Sequence, residues 1–287
     1  MAHTYATVAD ANNYLMSSGA TVFAAEAAAQ VAVKLATLEA VSRRIDYVCH
    51  RSAFGSGFGP RLGTNKYDGD GSDTLHLRDD LLSVTTVTSY PITGSTTSST
   101  PVSDTDFYLT NFDGYTGPPW RKVVLHGRGA PLYFGAGLRV TTILGTWGYS
   151  NVTAASTTTV ASGLASGTTA TTFTTSATPT ISPGMTLLIG SEQLYVSGLS
   201  STTATVVRGV NGTTAATHAN SSAIAVYTYP GGVNEVALRL FTRRWKARDA
   251  GADGTDGGGD MPGVIAREGE DTIIRRGLSD LMLLGTY

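Results

Sequence analysis

The sequence predicts an α+β fold: a helical bundle from the N- and C-terminal segments, bearing an antiparallel β module and a second, inserted small β domain. Three observations carry this. Apolar residues recur at three- and four-residue steps over 24–50 and again over 231–249. From 64 to 149, short strand-like runs are separated by Gly, Pro, Asn and Asp. From 150 to 229 charge nearly vanishes: Glu192 and Arg208 are the only charged side chains, with His218 beside them, and Thr, Ser, Ala and Gly dominate. The expected division is 1–63 and 230–249 for the helical body, 64–149 for the β module, 150–229 for the inserted domain, and 250–287 for a flexible linker and C-terminal arm.

Residues 4–18 read as a short helix, with Thr7 as N-cap, Gly19 as stop, and Val8, Ala11 and Leu15 on one face. Residues 24–50 carry the clearest helical period, with Val31, Leu35, Leu38, Ile45 and Cys49 on one stripe. The many alanines there allow another helix to approach closely, from within the chain or from a neighbouring copy. Pro60 and the glycines of 54–63 end it. Strand-like runs follow at 74–77, 82–87, 106–109, 122–126 and 138–143, and the Ser/Thr-rich segment 93–104 reads as a hairpin tip or loop. Within the low-charge region, strands are expected at 170–174, 185–189, 192–197, 203–208 and 223–228, with turns at Pro183-Gly184 and Asn211-Gly212. The helix from 231 has an apolar face of Val233, Val236, Ala237, Leu240 and Phe241. Residues 249–263 hold six glycines and four aspartates, the composition of a flexible linker. Apolar content returns from Val264 to Tyr287, so this tail requires a surface, its own body's or a partner's.

Composition excludes several classes. A formal net charge of −2 gives no global drive toward nucleic acid through phosphate neutralisation. Cys49 stands alone, so no intrachain disulfide and no Cys-based zinc site can form. Met1–Asp10 lacks the basic and apolar regions of a signal peptide, and no window approaches a membrane span, so assembly in a cytosol is expected.

The motifs that suggest chemistry have blander readings. Counted from Asp68, the loop Asp68-Gly69-Asp70-Gly71-Ser72-Asp73 has Asp73 where an EF-hand needs Gly and Asp79 where it needs the bidentate Glu, so a hairpin with Asx turns is expected. Gly55-Ser56-Gly57-Phe58-Gly59 lacks the Gly-Lys-Ser/Thr ending of a phosphate loop. The five histidines show no metal spacing, although His76 and His126 sit in strands that could meet. Asp68, Asp70, Asp73, Asp79, Asp80, Asp104, Asp106 and Asp113 leave a folded carboxylate pair open, but no enzymatic activity is expected and no cofactor is called for. Glu192 and Arg208 read as a structural ion pair that fixes strand register. Trp147 and Tyr149 read as plugs for the core of the β module.

The order of several short segments carries a resemblance. These are Tyr5-Ala6-Thr7-Val8-Ala9-Asp10-Ala11-Asn12-Asn13-Tyr14-Leu15, the helix ending Arg43-Arg44-Ile45-Asp46-Tyr47, Lys66-Tyr67-Asp68-Gly69-Asp70-Gly71 with Leu75-His76-Leu77, the run Asp79–Val87, Asp106-Phe107-Tyr108-Leu109, the strand end Gly145-Thr146-Trp147-Gly148-Tyr149, and the closing helix Val233–Trp245. Over 4–149 and 231–248 the chain resembles the head–tail connector (adaptor) proteins of tailed phages. The segment 150–229 interrupts that pattern. With Ile189–Val196, Val206–Thr213 and His218, it resembles a module of many phage structural proteins.

The resemblance implies a virion protein of the neck, assembled in the host cytoplasm into a homo-oligomeric, dodecameric ring that continues the DNA channel. Its partners would be the portal protein above and head-completion (stopper) or tail proteins below, with DNA passing non-specifically and no membrane involved. The portal-binding arm would correspond to Val264, Ile265, Ile273, Ile274, Leu281, Leu283, Leu284 and Tyr287. The basic cluster Arg239, Arg243, Arg244, Lys246 and Arg248 reads either as a contact to DNA or an acidic portal surface, or as a solvated face complementing the helix dipole. The rival readings are a tail or baseplate protein, or an adhesin that binds glycan through 150–229, and a cell-wall hydrolase.

Overall fold

The computed structural model describes residues 3–17, 27–51, 57–90, 100–112, 117–127, 131–165, 167–177, 180–250 and 269–282. The chain divides into two compact units: Arg51–Asn151, and a discontinuous one joining Ala2–His50 to Val152–Leu283.

The first unit is an antiparallel sheet. Its strands are β1 (Arg61–Asp70), β2 (Thr74–Ser89), β3 (Thr100–Val102), β4 (Phe107–Thr110), β5 (Trp120–Leu125) and β6 (Ala136–Trp147). They run in the order β1-β6-β2-β5-β4, with β3 also on β2. Bulges interrupt the β1–β6, β2–β5 and β2–β6 ladders, and such bulges bend strands. One cluster fills the bend, including Tyr67, Leu75, Leu81, Val123, Phe134, Ile143 and Trp147. Gly145 is required at the β6–β2 crossing, because a Cβ there would lie 2.3 Å from the Ser83 carbonyl oxygen. Trp147 plugs this core as expected, and its Nε1 donates to the Gly63 carbonyl at 2.9 Å. Tyr149 instead sits with Phe58 around the Arg51 guanidinium, at 4.9 and 4.6 Å, while Arg51 pairs with buried Asp80. The expected hairpin at Tyr67–Asp73 is not one: β1 and β2 flank β6 rather than pairing across that turn. The Asx turn does form, with Ser72 N–H donating to Asp70 Oδ1 at 2.9 Å.

The second unit is centred on a closed barrel. Its strands are β7 (Thr153–Ser162), β8 (Thr172–Thr175), β9 (Thr186–Ile189), β10 (Glu192–Ser200), β11 (Thr203–Val207) and β12 (Ala223–Tyr227), in the circuit β10-β11-β8-β7-β12-β9. Closure leaves no unpaired edge. Val160, Phe173, Leu187, Ile189, Leu194, Val196, Val206 and Ile224 fill the interior. The same unit holds α1 (Val8–Ser17), α2 (Ala28–Val48), α3 (Gly231–Ala250) and α4 (Glu270–Gly277), followed by a 3-10 turn at Ser279–Leu281. None of the described helices is long and apolar enough to cross a membrane.

Thr7 caps α1: its Oγ1 accepts from Asp10 N–H at 3.0 Å, while Asp10 Oδ2 accepts from Thr7 N–H at 2.9 Å. The barrel loop completes the cap, because Val8 N–H donates to the Pro183 carbonyl at 3.1 Å and Ala9 N–H to Ser182 Oγ at 3.2 Å. Leu35, Leu38, Val41 and Ile45 of α2 and Val233, Val236, Leu240 and Phe241 of α3 are buried, and the two helices pack on each other. α2 also meets β10, where Tyr195 Oη donates to Glu39 Oε1 at 2.7 Å.

The expected fold class is therefore corrected. The described chain is mostly β, with twelve strands against four helices and a closed barrel; it is not a helical bundle bearing a β module and an insertion. The helical stripes dominate the sequence because each is a single contiguous signal of about five turns. The strands are short, often apolar on one face only, and held by partners far along the chain.

Candidate functional site

α2 carries two apolar faces, because alanine fills both sides of a helix without a rotamer cost. One is buried in the unit. The other, with Ala29, Ala32, Val33, Ala36 and Ala40, is exposed. Its Ala32, Val33, Ala36 and Ala40, together with Thr37 and the α3 residues Arg244, Trp245 and Arg248, line a groove of about 520 Å³. Trp245 is the wall of this groove. Phe241 stacks behind it at 5.6 Å, and Lys34 Nζ and the Arg248 guanidinium lie 5.3 and 5.2 Å from its ring centroid. The groove is thus apolar along α2 and cationic along α3.

The expected basic cluster divides by partner. Arg244 forks onto Glu270 of α4, with Nε to Oε1 at 2.8 Å and Nη2 to Oε2 at 2.7 Å. This hydrogen bond holds the Glu270 carboxyl below its ordinary range against opposing burial, and it raises Arg244 in turn. Arg239 approaches Glu235 at 3.9 Å, Arg243 is half-buried, and Lys246 and Arg248 are exposed. Of these, only Arg244 and Arg248 line the groove.

The expected C-terminal arm is described only in part. Val264, Ile265, Leu283, Leu284 and Tyr287 lie outside the described residues, as does most of the Gly-rich linker. Ile274 is fully buried, Ile273 and Leu281 are half-buried, and α4 packs on α2 and α3 of its own chain. The pairings that seat it were not read from the sequence, although Arg244 and Ile274 were singled out there for other roles. They are Arg44, which forks onto Asp271 with bonds of 3.0 and 2.9 Å, Arg244 with Glu270, and Leu278 beside Ile274. The signal was present: acids in a first turn, Arg275-Arg276 in a last turn, and apolar residues four apart.

Two buried polar centres lie elsewhere in this unit. Glu192, wholly inaccessible, receives five donors: Arg208 Nε and Nη2 at 2.7 Å each, Gly209 and Ala216 N–H at 3.0 Å each, and His218 Nε2 at 2.7 Å. Burial alone would raise its pKa, but Arg208 and the other donors overcome this and hold it at about 2. The neighbouring Gln193 ties the same loop through Val210 N–H, Asn211 Nδ2 and the Thr213 hydroxyl. These bonds form a lock that fastens residues 208–218 to the β9–β10 turn. Its carboxylate is saturated by donors.

The second centre gathers His3, Tyr5, Arg43, Asp46 and Tyr229. Tyr5 Oη donates to Asp46, Arg43 pairs with Asp46 at 3.2 Å, and Asn234 Nδ2 donates to the Tyr5 carbonyl at 2.9 Å. His3 lies tilted against the rings of Tyr5 and Tyr229, and among the described residues both its ring nitrogens are buried without a hydrogen-bond partner. Burial and the Arg43 charge hold its pKa well below the usual histidine value.

The aspartates considered for a carboxylate pair have other attachments. Asp68 Oδ1 accepts from Arg139 N–H at 2.7 Å, Asp80 holds Arg51, and Asp79 accepts from Asn65 at 3.3 Å; Asp113 lies outside the described residues. His76 and His126 do not pair: His76 stacks on Phe112 at 5.5 Å, and His126 lies tilted against Tyr108 at 5.1 Å. Among the described residues, no three His, Cys, Asp or Glu side chains converge as metal ligands.

No family model, curated protein or solved structure matches the chain.

Proposed function

We propose that this chain is a structural, non-enzymatic virion protein. It is the subunit of a head–tail connector ring that joins the portal to the stopper or tail proteins of a tailed phage and continues the DNA channel. The observation that carries the reading is the second apolar face of α2: Ala32, Val33, Ala36 and Ala40 remain exposed after the first face has been buried. Contiguous apolar surface on a folded subunit marks an assembly contact. Small side chains there let a neighbouring copy approach closely. The packing of α2 and α3 into one unit, from sequence positions nearly two hundred residues apart, supports the same reading. So does the order of the segments that resemble connector proteins.

The test is association. The full-length protein should form rings in native mass spectrometry, and Ala36→Arg should leave the thermal melt unchanged while reducing ring abundance at least tenfold. A ring population indifferent to Ala36→Arg would remove α2 from the interface. A protein that stays monomeric at all concentrations, alone and with phage portal rings, would end the connector reading.

A further inference from the structure

We propose that α4 is an exchangeable clasp, which in the assembled protein docks into the α2–α3 socket of a second copy of this chain. The proposal rests on the connector reading, because it needs copies held side by side.

The socket and its insert are chemically matched. Arg44 on α2 and Arg244 on α3 each fork onto one carboxylate of the first turn of α4, Asp271 and Glu270 respectively. Beneath them Ile274 and Leu278 are 0 % and 1 % exposed. Gly277 brings the two backbones close, since a Cβ there would come within 2.5 Å of Val236 Cγ2. An isolated helix of eight residues does not hold its shape in water, so α4 is helical because it is docked.

Its tether is longer than docking at home requires. Arg244, which holds Glu270, is six positions before the end of α3 at Ala250, roughly 9 Å along the axis. Helix–helix connections of about two to eight residues close such gaps. The chain instead places eighteen residues, 251–268, between α3 and α4, a span of at most about 60 Å. That is enough to seat α4 on an adjacent copy. Every ion pair and buried contact would be reproduced there unchanged, as in any exchange of an identical element. Around a ring, each subunit would then hold the next through this clasp as well as through the exposed face of α2.

Two experiments decide it on the full-length chain. Arg44→Glu with Arg244→Glu reverses the socket; Glu270→Arg with Asp271→Arg reverses the clasp. Each variant alone should lose hydrogen-exchange protection over 270–278. Their mixture should regain it at least tenfold and yield heterocomplexes by native mass. A mixture that stays unprotected overturns the exchange.

Independently, Val236→Cys with Gly277→Cys places Cβ atoms about 3.9 Å apart, within disulfide range, and Cys49→Ala removes the native thiol. Oxidised assemblies should run as covalent ladders on denaturing gels, whereas intrachain bonds alone overturn the proposal. Native mass of the unoxidised protein separates the causes. Rings with only intrachain bonds mean that the exchange is wrong and the ring stands; monomers throughout mean that both readings fail.

Discussion

Single residues decide how the charge-poor barrel keeps its shape. Arg208→Ala leaves Glu192 as a buried carboxylate without its cation, so the second unit should lose about 3–5 kcal/mol in urea unfolding. The pH dependence has a definite sign. The Glu192 carboxyl is held at about 2 against an ordinary 4.5, so its contribution is fully present above pH 4.5 and is lost as pH falls toward 2. His3 acts in a higher window. Its lowered folded value means that stability is present above the unfolded value of 6.5 and declines as pH drops below it. A His3→Phe variant should therefore show a flatter dependence of melting temperature between pH 7 and 5 than the parent. Of the two centres only the one at Glu192 was partly legible, and nothing in the sequence marked the one around His3. Glu192 and Arg208 stood out as lone charges in a Thr-rich region, but that five donors converge on one carboxylate depends on backbone N–H groups, which leave no mark on side-chain pattern.

Elements were legible in proportion to how locally they are determined. α2 and α3 announce themselves by period, and their boundaries follow the sequence closely. β7, with Thr-Ala-Ala-Ser-Thr-Thr-Thr-Val-Ala-Ser, was not read as a strand: Val160 is its one large buried residue, and it is extended because β8 and β12 pair with it on either side. β1 was missed for a similar reason, since glycines and charges break its alternation and β6 supplies the ladder. The helix pair is equally sensitive to substitution. Phe241, fully buried on α3 and stacked on Trp245, should cost about 3–5 kcal/mol when changed to Ala. The loss should appear in the melting of the second unit and leave the Arg51–Asn151 unit untouched.

At the scale of the whole chain, each unit has its own buried cluster. The Arg51–Asn151 unit begins and ends beside itself, since Arg61 is registered against Trp147 and Ser150 N–H donates to the Phe58 carbonyl at 3.1 Å. Expressed alone, 51–151 should give a cooperative unfolding transition with strand-type circular dichroism, as expected of a domain whose entry and exit meet. A gradual, non-cooperative melt would show that it depends on the rest of the chain. The discontinuity of the other unit has a consequence in time. On the ribosome α2 emerges roughly 180 residues ahead of α3, which at about 5–20 residues per second is a wait of roughly 10–40 s. Throughout that interval the stripe of Leu35, Leu38, Val41 and Ile45 has no α3 to cover it, while the intervening sheet can already close. Nascent chains stalled before Gly231 should accordingly be the ones that chaperones retain, and release should follow translation of α3.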